Sequence, residues 1–141
     1  MAIFGMGAFF DGDTDVSEDF LRQGVACIGW PENDAPAVHN LLTRVHAGDT
    51  LYIKAHPPGR DLTVKAVGIV TNNAIEDHDI GGGFAGRLFR GVRVRWIWQG
   101  NRIFHEEVNE RYNVRNNTLY EEMSPSIQQG ILALLLERLQ S

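Results

Sequence analysis

The stretch Phe20-Leu21-Arg22-Gln23-Gly24-Val25-Ala26-Cys27-Ile28-Gly29-Trp30-Pro31 constrains the fold more than any other. It predicts the end of a short helix, a glycine stop, a buried strand and an aromatic side chain at the strand's exit. Gly24 suits the left-handed conformation that closes a helix. Val25 to Ile28 form an unbroken run of small or branched apolar residues, the pattern of a strand covered on both faces. Gly29 lets another group approach the backbone closely, and Pro31 pushes Trp30 towards an extended conformation. Trp30 is then either a functional aromatic surface or a core or rim tryptophan with its N–H satisfied. This stretch alone favours neither.

Around it the 141 residues read as one domain spanning 1–141, long enough to bury a real core. Ala2 to Phe10 predicts a first strand, with Gly5 and Gly7 marking a bulge or a close backbone approach. Phe9 and Phe10 point to opposite faces, so only one of them belongs in the core. Asp11-Gly12-Asp13-Thr14-Asp15 is a turn without the later glycine and closing glutamate of a calcium loop. Ser17 to Arg22 is a short helix with acids in its first turn. Asp34 is placed to cap a helix from about Ala35 to His46, with Val38, Leu41, Leu42 and Val45 on one face. Gly48-Asp49 opens a hairpin: Thr50 to Lys54, a turn at Pro57-Pro58-Gly59-Arg60-Asp61, and Leu62 to Thr71. Tyr52 and Lys54 share a face. Residues 72–88 form a long glycine-rich loop.

Phe89 to Gln99 is the strongest alternating strand. Val92, Val94, Trp96 and Trp98 share one parity and predict an apolar inner face. Arg93 and Arg95 lie on the other parity and predict a basic outer face. Core packing is the expectation for at least one of the two tryptophans. Gly100-Asn101 predicts a hairpin turn into Arg102 to His105, and Glu106 to Asn117 is polar without a clear pattern. Ser124 and Pro125 start a helix at about 124–140. Its stripe of Ile127, Ile131, Leu134, Leu135 and Leu139 is expected to pack across the open end of the sheet.

Charge narrows the function classes. The formal net charge is −5. Residues 1–50 hold Arg22 and Arg44 against eight acids, while Arg87, Arg90, Arg93 and Arg95 gather later. Such a chain is a poor candidate for sequence-blind nucleic-acid binding, which needs many phosphate contacts, but it can bind through one basic face. Cys27 is the only cysteine, so there is no internal disulfide and no thiolate metal cluster. Its apolar strand makes it a packed hydrophobe rather than a nucleophile. His39 and His46 have no third ligand in reach and read as solvated histidines, not a metal site. The N-terminus lacks the basic start of a signal peptide, and no apolar run reaches bilayer-spanning length, so a cytoplasmic location is expected. Asn116-Asn117-Thr118 matches a glycosylation triplet that carries no meaning without a secretory signal.

Enzyme signatures are weak: there is no Gly-x-Ser-x-Gly, His-Glu-x-x-His or Rossmann fingerprint. The triple glycine at 81–83 has no following Gly-Lys-Ser/Thr and is not a phosphate loop. His105-Glu106-Glu107 offers acid–base groups that would point opposite ways along a strand. The expectation is a non-enzymatic α+β domain without catalytic residues, cofactor or metal. Aromatic rings that sandwich a flat ligand, beside arginines that hold a phosphate backbone, are the parts of a nucleobase pocket.

Several features in order resemble one family. They are Phe20 to Trp30, then a helix, then Val45-His46-Ala47-Gly48-Asp49-Thr50-Leu51-Tyr52-Ile53, then Val67-Gly68-Ile69-Val70, then Val92-Arg93-Val94-Arg95-Trp96. This succession resembles the EVE domains of the PUA-like superfamily, relatives of the YTH domains, and in particular the EVE-like domains of modification-dependent restriction systems. The resemblance implies a PUA-like twisted β-barrel flanked by short helices. It also implies an aromatic pocket that takes a flipped-out methylated or hydroxymethylated base from DNA or RNA. Carried over by position, Trp30 and Gly29 would form a wall of that pocket and Phe9 and Phe10 another. Tyr52, Lys54 and Asn72 would lie near it, and Arg93 and Arg95 would hold phosphates. Two other classes stand beside this one. A protein-interaction module with a vestigial pocket, serving a larger complex, would have Trp30 closed over by its neighbours. A PUA-like hydrolase of modified nucleosides would need a lysine, Lys54 or Lys65, converging with a carboxylate.

Overall fold

A computed structural model describes residues 1–55, 61–104 and 118–140. In chain order the elements are β1 (Ile3–Gly7), β2 (Phe9–Phe10), β3 (Thr14–Asp15), α1 (Ser17–Gln23), β4 (Val25–Cys27) and α2 (Pro36–Leu42). There follow β5 (Thr50–Lys54), β6 (Leu62–Val70), β7 (Glu76–His78), a 3-10 turn (Gly82–Phe84), β8 (Phe89–Phe104), β9 (Leu119–Glu121) and α3 (Pro125–Leu139). Most of the turn expected at Pro57–Asp61 lies outside the described residues, as do His105-Glu106-Glu107 and Asn116-Asn117.

The chain is α+β. Its main sheet runs β4-β8-β6-β5-β1-β9, with β7 also on β8, and it curls into a half-barrel. β1 and β5 pair in parallel; the other pairs are antiparallel. Pairing β1 beside β5 is secured at the start of both strands by Asp49. Its carboxylate accepts the N–H of Ala2 at 2.9 Å and of His46 at 2.8 Å. Gly24 closes α1 as expected, with φ of 67° and its N–H donated to the Phe20 carbonyl. At the opposite end of α1, Asp15 accepts the Ser17 N–H at 2.9 Å just ahead of the first turn.

Two cores lie on opposite faces of the sheet. The first fills the curl with Phe4, Met6, Phe10, Phe20, Ile28, Leu51 and Ile53, joined by Cys27 and Phe89. The second lies between the sheet and α3, where Ile127, Ile131, Leu134 and Leu135 meet Tyr52, Val67, Trp98 and Tyr120. Helix α3 therefore covers a sheet face and not the open end of the sheet. Leu139, expected in its buried stripe, is exposed. Each large side chain so enclosed contributes about 1.5–3 kcal/mol relative to exposure.

Several local expectations are corrected. β8 does not turn at Gly100-Asn101 but continues to Phe104. Gly100 instead seats Trp98, whose Cζ2 lies 2.8 Å from where a Cβ would stand. Against β6, β8 carries an extra residue between Trp96 and Trp98 and another between Gln99 and Arg102. The first bulge breaks the alternation, since one extra residue turns the following side chains to the other face. Trp96 packs against the first core, and Trp98 enters the second. Lys65 is the corresponding extra residue of β6 against β5. Helix α2 starts at Pro36 and ends at Leu42, shorter than expected at both ends. Asp34 belongs to the preceding turn, where its N–H is donated to the Pro31 carbonyl, and does not cap the helix.

Candidate functional site

Trp30 stands at the exit of β4 with 54% of its surface exposed. Its position is fixed from two sides. The indole N–H is donated to Thr118 Oγ1 at 3.2 Å. Its backbone carbonyl accepts a hydrogen bond from His39 Nε2 at 2.7 Å. The carbonyl can only accept, so Nε2 carries the proton and Nδ1 is left as an acceptor. Arg90 Nη1 supplies that bond at 3.1 Å and also meets Glu32 at 3.0 Å. His39 is thus buried, at 4% exposure, and not solvated as its helical position suggested; His46 is exposed.

Beneath Trp30 the backbone is shaped by Gly29. A Cβ there would lie 2.5 Å from Phe10 Cδ1. Phe10 is 2% exposed and packs edge-on against Phe20 and Phe84 at 5.9 and 5.4 Å between ring centres. Phe9 faces the other way and is 42% exposed. Of this pair only Phe9 is open to a ligand; burial makes Phe10 a support for Gly29 rather than a wall.

Three strands bring Lys54 to the same end of the sheet. Lys54 pairs with Gly7, and the Gly7 N–H is donated to the Thr118 carbonyl at 2.9 Å. Lys54, Gly7 and Thr118 therefore form one row across β5, β1 and the start of β9, with Trp30 bonded to its last member. Gly7 leaves room for the Lys54 stem, whose Cε would be 3.4 Å from a Cβ at that position. The Lys54 ammonium lies 5.4 Å from the centre of the Tyr120 ring.

The remaining expected residues lie apart. Tyr52 shares the Lys54 face but is fully buried in the second core. Its hydroxyl meets Tyr120 Oη at 2.7 Å and is donated to Glu122 Oε1 at 2.6 Å. Burial, then the neighbouring charges of Tyr120 and Glu122, push its pKa well above 10.0. Such a group belongs to the core and does not touch a ligand. Asn72 donates to Glu76 at 3.1 Å, and Arg93 donates to the same carboxylate at 3.2 Å. The Arg93 hydrogen bond and then its charge hold Glu76 below its ordinary 4.5. Asn72, in the connection from β6 to β7, and Arg93 on β8 thus cluster around Glu76 near His78, whose pKa burial lowers. Arg95 is exposed on β8 opposite Ile69.

The glycine-rich loop packs against the aromatic core. Asp79 accepts the N–H groups of Gly81 and Gly86, each at 2.9 Å. Those bonds, Gly86 first, hold its carboxyl below 3.8. Phe84 then joins Phe10 and Phe89, with Arg87 5.1 Å from the Phe89 ring centre.

A separate polar groove of about 360 Å³ lies between α1 and the second bulge of β8, lined by Asp15, Asp19, Arg22, Lys65 and Asn101 among others. Lys65 and Asp15 meet there at 2.5 Å. Burial raises the Asp15 pKa, but the hydrogen bonds from Lys65 and Ser17 outweigh it and hold the group below 3.8. Trp30 is not among the groove's lining residues.

The alternation of residues 89–99 exposed the cationic face, and the Gly-Trp pair marked the strand exit. Sequence reasoning missed His39, Arg90, Glu32 and Thr118. Their only signal was the position of Arg90 beside the expected pair Arg93 and Arg95. Among the described residues no group of three metal-binding side chains converges, and no helix is long and apolar enough to cross a membrane. No protein-family model matches the chain, and no curated protein matches it.

Proposed function

We propose that this chain is a PUA-like domain of the EVE kind, a reader module that takes a methylated or hydroxymethylated base of DNA or RNA against Trp30. One observation carries the reading: the exposed indole of Trp30 is held by Thr118 at its N–H and by His39 at its backbone. A flat aromatic surface fixed before binding gives up little conformational freedom when a base stacks on it. Stacking of this kind is worth about 1–3 kcal/mol per base. Arg90, hydrogen-bonded to the His39 that holds Trp30, supplies positive charge for the attached phosphates, whereas Lys54 is buried at 7% exposure over the Tyr120 ring and supports the strand row that ends at Thr118.

A domain with net charge −5 gains its affinity from such a local site rather than from broad phosphate contact. The module carries no effector activity in this reading, and a protein partner in the cytoplasm supplies it. The exposure of Trp30 counts against an interaction module with a closed, vestigial pocket. The hydrolase reading has its lysine and carboxylate in Lys65 and Asp15, but in a groove whose lining excludes the tryptophan.

The test is binding of short oligonucleotides at low salt, with and without methylated cytosine, hydroxymethylated cytosine or methylated adenine, to wild type and Trp30→Ala. Modification-dependent binding that the substitution abolishes is the expected result. Absence of binding to every strand by a folded wild type overturns the reading.

A further inference from the structure

Arg90 stands beside the Trp30 site with an exchangeable counterion. Its backbone carbonyl accepts the Ile28 N–H at 2.9 Å, which locks the start of β8 against the exit of β4 immediately before Gly29-Trp30. Its Nη1 carries two N–H groups. One reaches His39 Nδ1 at 3.1 Å and the other Glu32 Oε1 at 3.0 Å. Through His39, the guanidinium is therefore two hydrogen bonds from the Trp30 carbonyl. The two anchors differ in kind. His39 is buried, whereas the Glu32 side chain is 64% exposed and that of Arg90 28%. An ion pair with so open a carboxylate adds little stability and is readily exchanged for another anion. Arg93, by contrast, is paired with Glu76 and sits opposite Val25, at the end of β4 away from Trp30.

We infer that Arg90 is the phosphate-binding residue of the Trp30 site and that Glu32 occupies, in the free protein, the place a nucleic-acid phosphate takes on binding. The inference rests on the reader function and deepens it, replacing Arg93 and Arg95 with Arg90 as the backbone contact. A phosphodiester offers the same pair of acceptor oxygens as a carboxylate, and the planar guanidinium fits both. Exchange leaves His39 in place, so the base-stacking surface stays fixed while the cation changes partner. Glu32 also repels strands that cannot displace it, so only a strand whose base also engages Trp30 overcomes the competition.

The experiment measures oligonucleotide affinity across a salt series, with the same modified and plain strands, for wild type, Glu32→Gln, Arg90→Met and Arg90→Lys. Arg90→Met is expected to weaken binding about tenfold and to reduce the slope of log affinity against log salt by about 0.7–0.9, the share of one phosphate. Arg90→Lys should restore most of that slope, and Glu32→Gln should tighten binding about threefold. A loss in Arg90→Met without a change of slope would mean that Arg90 acts only through His39, and overturns the inference. So does Trp30-dependent binding that neither Arg90→Met nor Glu32→Gln alters. A folded wild type that binds no strand overturns the reader function and this inference together, whereas Trp30-dependent binding that is blind to both substitutions overturns this inference alone.

Discussion

Gly29 exists so that Phe10 can: the ring occupies the space a side chain at residue 29 would need, with Cδ1 2.5 Å from the Cβ position. The exposed Trp30 thereby follows directly on a residue seated against the buried cluster of Phe10, Phe20, Phe84 and Phe89. Gly29→Ala must displace Phe10 or move the strand exit. Overpacking of this kind costs about 1–3 kcal/mol. Urea unfolding should show that loss, together with a changed Trp30 emission, while Gly83→Ala, where a Cβ meets open space, should leave the Trp30 emission as it is.

Trp30 is exposed, Trp96 is half-buried with its N–H donated to the Phe20 carbonyl, and Trp98 is buried. Iodide should therefore quench Trp30 most strongly. Trp30→Phe is expected to remove most of the accessible fluorescence, and a bound oligonucleotide should protect the same fraction in the wild type. Equal quenching before and after the substitution would place Trp30 under cover.

Tyr52→Phe keeps the ring but removes the hydroxyl shared by Tyr120 and Glu122. Leaving a buried carboxylate short of a donor costs about 1–3 kcal/mol. The pH dependence has a definite sign. The folded protein holds the Tyr52 proton well above 10.0, so above pH 10 the unfolded chain binds fewer protons and stability falls as pH rises. Tyr52→Phe should flatten that alkaline decline in urea titrations.

Burial, and then the negative charge of Asp77, push the Cys27 thiol up to about 12. The native protein should not react with an aromatic disulfide reagent at pH 8, where a free thiol reacts readily. Labelling should appear only with urea, at the rate of unfolding. Rapid native labelling would place Cys27 outside the first core.

Asp79 is held below 3.8 by the N–H groups of Gly86 and Gly81. Its contribution is present above that pH and is lost as pH falls through its lowered value. Asp79→Ala should accelerate hydrogen exchange at Gly81 and Gly86 at neutral pH, with the β5 amides unchanged. Unaltered exchange at both glycines would show that Phe84 packing alone holds the loop.

The sequence by itself determined the elements whose cause is local. Gly24 ends α1 because its backbone takes a conformation that other residues resist, and the apolar run Val25 to Ile28 is buried wherever its strand lies. Opposite pointing of Phe9 and Phe10, the shared face of Tyr52 and Lys54, and Pro125 at the head of α3 followed in the same way from strand and helix geometry. Tertiary structure decided whatever depends on distant partners. An extra residue in β8 sends Trp98 to the opposite core from Trp96, because register is set by pairing with β6 and not by alternation. Gly100 becomes the seat of Trp98 instead of a turn. His39 is buried because the Trp30 carbonyl and Arg90 converge on its two nitrogens, a meeting of residues up to 60 positions apart in sequence. The Trp30 site is legible locally only as a Gly-Trp pair; its supports come from α2, β8 and the residue before β9, brought together by the curl of the sheet.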